Sequence, residues 1–213
     1  MSPPAAFILT ILTVVAVILP ILISFIFGGQ ASLYASPPYG FDDIPDLTGR
    51  VAIVTGSNTG IGYVTARELA RKGAKVIIAA RSEQKGKDTI LRIKAELHNL
   101  PGADLLEFIK LDLANFAAVR KFARDFSYER LKLDILILNA AVWTPSFGLT
   151  VDGLETHIGT NHFGHFLLVK LLLPIIKVSK TRIVHVSSNL HGYSYPEGIR
   201  LSSFTDDIHF SAL

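Results

Sequence analysis

The chain contains no cysteine. That excludes disulfide staples and thiolate metal centres, and says little about compartment. It has no lysine or arginine before Arg50, which removes the basic start of a secretory signal and the charge bias from which membrane orientation is read. Internal repeats and low-complexity tracts are also missing. Charged residues make up only 18% of the sequence against 49% hydrophobic ones, and the mean hydropathy is +0.40. Because the apolar excess lies at one end, the two parts are read separately.

Residues 5–27, AAFILTILTVVAVILPILISFIF, carry no charge. At the helical rise they would extend roughly 35 Å, enough to cross a hydrocarbon core. They are expected to form an uncleaved transmembrane anchor, in which Pro20 is tolerated. The alternative is a cleaved signal that releases a secreted binding domain starting near Ala31. Residues 28–46 are rich in Gly, Pro, Ser and Tyr without hydrophobic period, which reads as a spacer. Three of the 18 acidic residues, Asp42, Asp43 and Asp46, fall there, so the remainder sets 21 basic against 15 acidic, a net of +6. This balance suits an anionic cofactor or an anionic membrane surface. It falls far short of a nucleic-acid-binding excess, and no nucleic-acid partner is expected.

From residue 47 to 213, short β-branched runs alternate with longer amphipathic ones, the pattern of βαβ units. Strands are predicted at 51–55, 75–80, 106–111, 133–138 and 182–187, and their nearly continuous apolar character predicts helices on both faces of a parallel sheet. The first helix, starting near Gly60, sets Gly62, Ala66, Leu69, Ala70 and Gly73 on one small apolar face and Arg67, Glu68, Arg71 and Lys72 opposite. Further helices fit 82–97 and 115–126, the latter with Phe116, Val119, Phe122 and Phe126 inward. A longer apolar segment, 154–178, contains Pro174. The fold class expected is α/β, a Rossmann-type doubly wound parallel sheet preceded by one transmembrane helix.

Between the first strand and its helix runs Thr55-Gly56-Ser57-Asn58-Thr59-Gly60-Ile61-Gly62. Glycines let the backbone turn tightly and approach a pyrophosphate, whose charge the helix N-terminus stabilises. Cofactor contacts are therefore expected from Gly56, Ser57, Asn58, Gly60, Ile61 and Gly62. At the end of the second strand an acidic residue would bind a ribose 2′-hydroxyl, but Arg81 stands there. Arginine pairs with a 2′-phosphate in a forked, charge-assisted contact, which favours NADP over NAD; the plainer reading is a solvated arginine opening the next helix. Asp112, at the tip of the third strand, is placed either to accept from an adenine amino group or to cap the helix at Asn115. The histidines His157, His162 and His165 carry a weak metal signal, and no metal is expected.

Taken in order, Thr55-Gly-x3-Gly60-Ile-Gly62, Leu111-Asp112-Leu113, Asn139-Ala140-Ala141, Asn161-His-Phe-Gly-His-Phe and Val186-Ser187-Ser188 resemble the motifs of short-chain dehydrogenases/reductases. Asp152-Gly-Leu-Glu155 followed by Asn161-His162-Phe163-Gly164-His165-Phe166-Leu167-Leu168 is similar to the retinol dehydrogenase and WW-domain oxidoreductase branch, without a preceding WW domain. The resemblance runs from Leu47 to roughly Phe210. It implies Asn139 beside the cofactor, Asn161 as the asparagine that holds a proton-relay water, and Ser188 as the serine that hydrogen-bonds the substrate oxygen. Ala141 departs from the glycine of many members. The implied activity is NADP(H)-dependent hydride exchange with a lipophilic alcohol or carbonyl, retinoid- or steroid-like, at a single-pass anchor in the endoplasmic reticulum membrane. A homo-oligomer fits the same picture.

The family's proton donor, a Tyr-x3-Lys pair after the serine, does not appear. Of six tyrosines only Tyr128 has a lysine four positions on, Lys132, and that pair precedes the fourth strand, at the wrong end of the sheet. Tyr193 and Tyr195 are followed at that spacing by Glu197 and Ile199. The expectation is a C-terminally incomplete scaffold, whether splice isoform, fragment or incomplete gene, lacking its last strands and inactive as given; a non-catalytic cofactor-binding or interaction protein is the alternative.

Overall fold

The computed structural model describes residues 39–205 except 99, 130, 131, 145, 190, 191, 193–195 and 197. The expected anchor at 5–27, most of the spacer, and Tyr193, Tyr195 and Glu197 lie outside the described residues. The chain divides at Asp43/Ile44 into two units. Of the first, Phe41–Asp43 forms one 3-10 turn.

The second unit holds five parallel strands: β1 (Val51–Thr55), β2 (Lys75–Ala80), β3 (Leu106–Lys110), β4 (Ile135–Leu138) and β5 (Arg182–His185). Their spatial order is β3-β2-β1-β4-β5, a doubly wound sheet whose order reverses between β1 and β4. Ligands of such sheets bind in the crevice beyond the strands' carboxyl ends at that reversal.

The helices are α1 (Gly60–Arg71), α2 (Glu83–Leu97), α3 (Phe116–Glu129) and α4 (His165–Ser179), the last entered through a π-helical segment, Ile158–Gly164. Side-chain alternation along β1 divides the core in two. Ala52 and Val54 meet Ala66 and Ala70 of α1 and Ile93 and Leu97 of α2. Ile53 faces the other way, toward Phe122 and Phe126 of α3 and Leu168 and Leu172 of α4. Among the described residues, one helical stretch, Ile158–Ser179, is long and apolar enough to cross a membrane. With Leu168 and Leu172 fully buried in that core, it is read as a core helix. Pro174 sits inside α4.

Several expectations need correction. Glu68 is not on a solvated face but buried at 5% exposure, because Arg67 and Arg71 both donate to its carboxylate, at 2.9 and 2.5 Å. Leu69 is only half-buried. β4 starts at Ile135 rather than 133: the Leu133 amide is taken by Ser179 Oγ at 3.1 Å and its carbonyl by the Thr181 hydroxyl at 2.6 Å, while Asp134 keeps backbone bonds to Val51 and Arg182 and turns its side chain to Arg50 and the Val51 amide. β5 lies at the sheet edge with all four residues exposed rather than covered on both faces, and ends at His185.

Candidate functional site

At the carboxyl ends of β1 to β4 lies a cavity of about 590 Å³. Gly56, Asn58, Gly60, Ile61 and Gly62 line it from the glycine loop, Arg81 from the end of β2, Asp112 from the end of β3 and Asn139 from the end of β4. Lys85, Thr156 and Thr160 line it as well. The loop that closes its floor is held by hydrogen bonds to β1 and α2. Ser57 is fully buried and donates to the Val54 carbonyl at 2.8 Å, so it shapes the loop and does not line the cavity. Thr89 on α2 donates to the Asn58 carbonyl at 3.4 Å.

Two glycines show why no other residue serves. Gly60 has φ +56°, and a Cβ built on it would meet nothing within 4 Å; the backbone is left bare toward the cavity. Gly62 is the opposite case, since its Cβ would stand 2.5 Å from both the Asn139 amide nitrogen and the Gly56 carbonyl oxygen. The N-terminus of α1 has no side-chain cap, Thr59 making no such bond, whereas α2 is capped by Ser82, which accepts from the Lys85 amide at 3.3 Å. An uncapped helix start opening on a cavity is suited to an anion.

The far end of the cavity is set by hydrogen bonds between strand ends. Asn139 donates its side-chain amide to the Thr55 carbonyl at 3.0 Å, and the backbone amides of Asn139 and Ala140 both donate to the Thr55 hydroxyl, at 2.9 and 3.0 Å. Asn161 does not line the cavity: its amide holds the Val142 backbone on both sides, accepting from the Val142 N–H at 2.8 Å and donating to the Val142 carbonyl at 2.9 Å. Ser188 lies exposed beyond β5 and outside the cavity lining. Asp112 is not the cap of α3. Asn115 fills that place, accepting from the Ala118 amide at 3.1 Å, while Asp112 closes a turn on the Ala114 amide at 3.0 Å.

The three histidines have separate partners. His157 sits between the buried Glu155 carboxylate, 2.7 Å from Nδ1, and the Thr144 amide, which donates to Nε2 at 2.9 Å. His162 rests against Phe163 and Phe166. His165 is buried beneath the crevice, and burial holds its pKa down at about 4, with His185 and His162 acting in the same direction against the favourable Asn161 carbonyl. Tyr128 is 90% exposed on α3, and Lys132 donates to the Gly49 carbonyl at 3.0 Å just before β1 begins. That pair lies at the amino end of the sheet, away from the cavity. A second, more apolar groove of about 660 Å³ runs between α3 and α4, past Arg120, Arg124 and Pro174; it gathers no strand-end polar groups. Sequence reading missed Lys85, although it stands one helical turn after Arg81, and it missed the Thr55 hydroxyl, whose partners lie more than 80 residues away.

The sequence model of the family described as short chain dehydrogenase matches residues 50–203. Human retinol dehydrogenase 12 is 47% identical over 146 residues, covering 68% of this chain and 45% of that protein. Mouse polyprenol dehydrogenase is 45% identical over 153 residues, with 70% and 44% covered. The chicken WW domain-containing oxidoreductase is 43% identical over 150 residues, with 70% and 35% covered. Among solved structures, a metagenomic short-chain oxidoreductase in complex with NADP is 28% identical with a TM-score of 0.59, over 72% of this chain and 68% of that one. The chain thus spans less than half the length of these curated relatives.

Proposed function

The chain belongs to the short-chain dehydrogenase/reductase family, with retinol dehydrogenases and a WW domain-containing oxidoreductase among its relatives, and on that footing we propose that it holds NADP(H) in the strand-end cavity and serves hydride exchange with a lipophilic alcohol or carbonyl. The observation that carries the reading is the cavity itself: a bare Gly60 backbone and an uncapped helix start on one side, and Arg81 at the end of β2 with Lys85 in the first turn of α2 on the other. The residues fit the group. The uncapped first turn of α1 would take the pyrophosphate. Arg81 would pair with the 2′-phosphate in a fork, with Lys85 adding a second positive charge one turn on. Asp112 would accept from the adenine amino group, and Asn139 would stand beside the nicotinamide half.

When bound, the nicotinamide supplies or receives the hydride. Ser188 would hydrogen-bond the substrate oxygen and Asn161 would take part in the proton relay, as the family resemblance implies. The lipophilic substrate is supported by relatives named for retinol and polyprenol, and by the uncharged stretch 5–27, which we read as an anchor that keeps the site at a membrane surface.

Fluorescence titration of the full chain in mild detergent with NADPH and NADH tests the cofactor. NADPH is expected to bind tighter, with the preference lost in Arg81→Glu. Tighter NADH binding, or no change in the variant, would refute the assignment. Turnover of retinol or a polyprenol by the same preparation tests the hydride exchange.

A further inference from the structure

Among the described residues His165 is the most deeply buried ionisable side chain, at 1% exposure. Its proton follows from its partners. Nδ1 lies 3.0 Å from the Asn161 carbonyl oxygen, which only accepts, so Nδ1 carries a hydrogen. Nε2 lies 2.9 Å from the Thr55 hydroxyl. That oxygen has two lone pairs and one proton, and both lone pairs are already engaged by the Asn139 and Ala140 amides. The hydroxyl proton therefore goes to Nε2, which is bare. The imidazole is neutral, in a single tautomer, and the burial that holds its pKa near 4 agrees.

We propose that His165 is a positioning residue for the nucleotide shelf: by accepting the Thr55 hydroxyl proton it fixes the rotamer in which Thr55 holds both the Asn139 and Ala140 amides. The inference rests on the cofactor reading above and deepens it. Thr55 is the last residue of β1 and the first of the glycine loop, while Asn139 and Ala140 follow β4 directly. One imidazole thus sets the spacing between the two strand ends that flank the crevice, and ties both to the π-helical segment through Asn161. Protonation at Nε2 would turn a second N–H toward an oxygen with no lone pair left. Facing His165 are His162 from its own segment and His185 from β5, whose ring stands 5.7 Å away; its partners on β1 and after β4 are neutral.

Two measurements on the full chain in mild detergent test this. Imidazole ¹⁵N–¹H correlation spectra, with His165 assigned by the signals lost in His165→Phe, should show a neutral Nδ1–H tautomer from pH 5.5 to 8. An Nε2–H tautomer, or a titration midpoint near an ordinary histidine's, would overturn the assignment. NADPH titration should then show Thr55→Val and His165→Phe each weakening binding about ten-fold, roughly 1.4 kcal/mol. Thr55→Ser should bind as the parent does, and the double variant no worse than the weaker single, because both act through one chain of bonds. Parent-like binding by both single variants, or losses that add, would overturn the positioning role alone. No NADPH or NADH binding by the unaltered chain would overturn the cofactor reading, and the proposal with it.

Discussion

Gly62→Ala should damage the fold more than its size suggests. The added methyl would lie 2.5 Å from the Gly56 carbonyl oxygen and 2.5 Å from the Asn139 side-chain nitrogen, where ordinary contact starts near 3.4 Å. Neither neighbour yields easily. Gly56 presents backbone, and the Asn139 amide is engaged with the Thr55 carbonyl. Either α1 lifts by most of an ångström from the strand ends, or the amide gives up its bond. Overpacking costs about 1–3 kcal/mol, and the lost hydrogen bond about 1 kcal/mol. The gain of alanine over glycine in a helix offsets about 1 kcal/mol of this. The net is about 2 kcal/mol, which for a domain of this size lowers Tm by roughly 4–8 °C. Gly60→Ala is the control: its methyl meets nothing, so only left-handed strain remains, about 1–2 kcal/mol. Thermal unfolding of the full chain in detergent, followed by circular dichroism without nucleotide, measures both. A Gly62→Ala Tm within about 1 °C of the parent, or Gly60→Ala as the more destabilised of the two, would refute the steric reasoning.

His165 makes a pH prediction with a definite sign. Its folded pKa, about 4, lies below the ordinary 6.5, so the unfolded chain takes up the proton first as pH falls. Its contribution is fully present above pH 6.5, declines through the interval and is gone below about 4, a change of roughly 3 kcal/mol. Urea unfolding of the parent against His165→Phe across that range should show the difference narrowing toward acid; a constant difference would contradict it. Phe122→Ala, at a site 1% exposed and stacked on Phe126 at 6.4 Å, should cost about 3–5 kcal/mol by the same assay. Asp134→Ala strands the Val51 amide and the Arg50 guanidinium that its carboxylate serves, an expected loss of about 1–3 kcal/mol. Lys132→Met, at the half-exposed partner of the same carboxylate, should cost under about 1 kcal/mol.

The sheet was readable because parallel strands buried on both faces must be apolar throughout, as 51–55 and 75–80 are. The glycine loop was readable because its spacing is tied to a strand before and a helix after. Where the reading failed, long-range partners overrode local pattern. Glu68 looked solvent-facing by helical period, yet two arginines neutralise it in a buried position. Leu133 looks like a strand residue, but Ser179 and Thr181, distant in sequence, take its amide and its carbonyl out of the ladder. The π-helical turn before α4 leaves no mark in an apolar run, since a widened turn shifts the face by a fraction of a residue. Histidine at 165 is an unremarkable letter until Thr55 and its two amides are seen to need an acceptor.

Asn161 pairs with Val142 as one strand residue pairs with another, one bond out and one bond back. The segment after β4 thereby gains a neighbour without joining a sheet. Two bonds of 2.8 and 2.9 Å to a single residue leave little freedom to slide or swivel. Mechanically, the wall facing the glycine loop is fastened to Ile158–Gly164, so displacement of that helical segment carries Val142 with it. The place of Val142 in the crevice wall is thus set by the helical segment that carries Asn161 rather than by the backbone of its own loop.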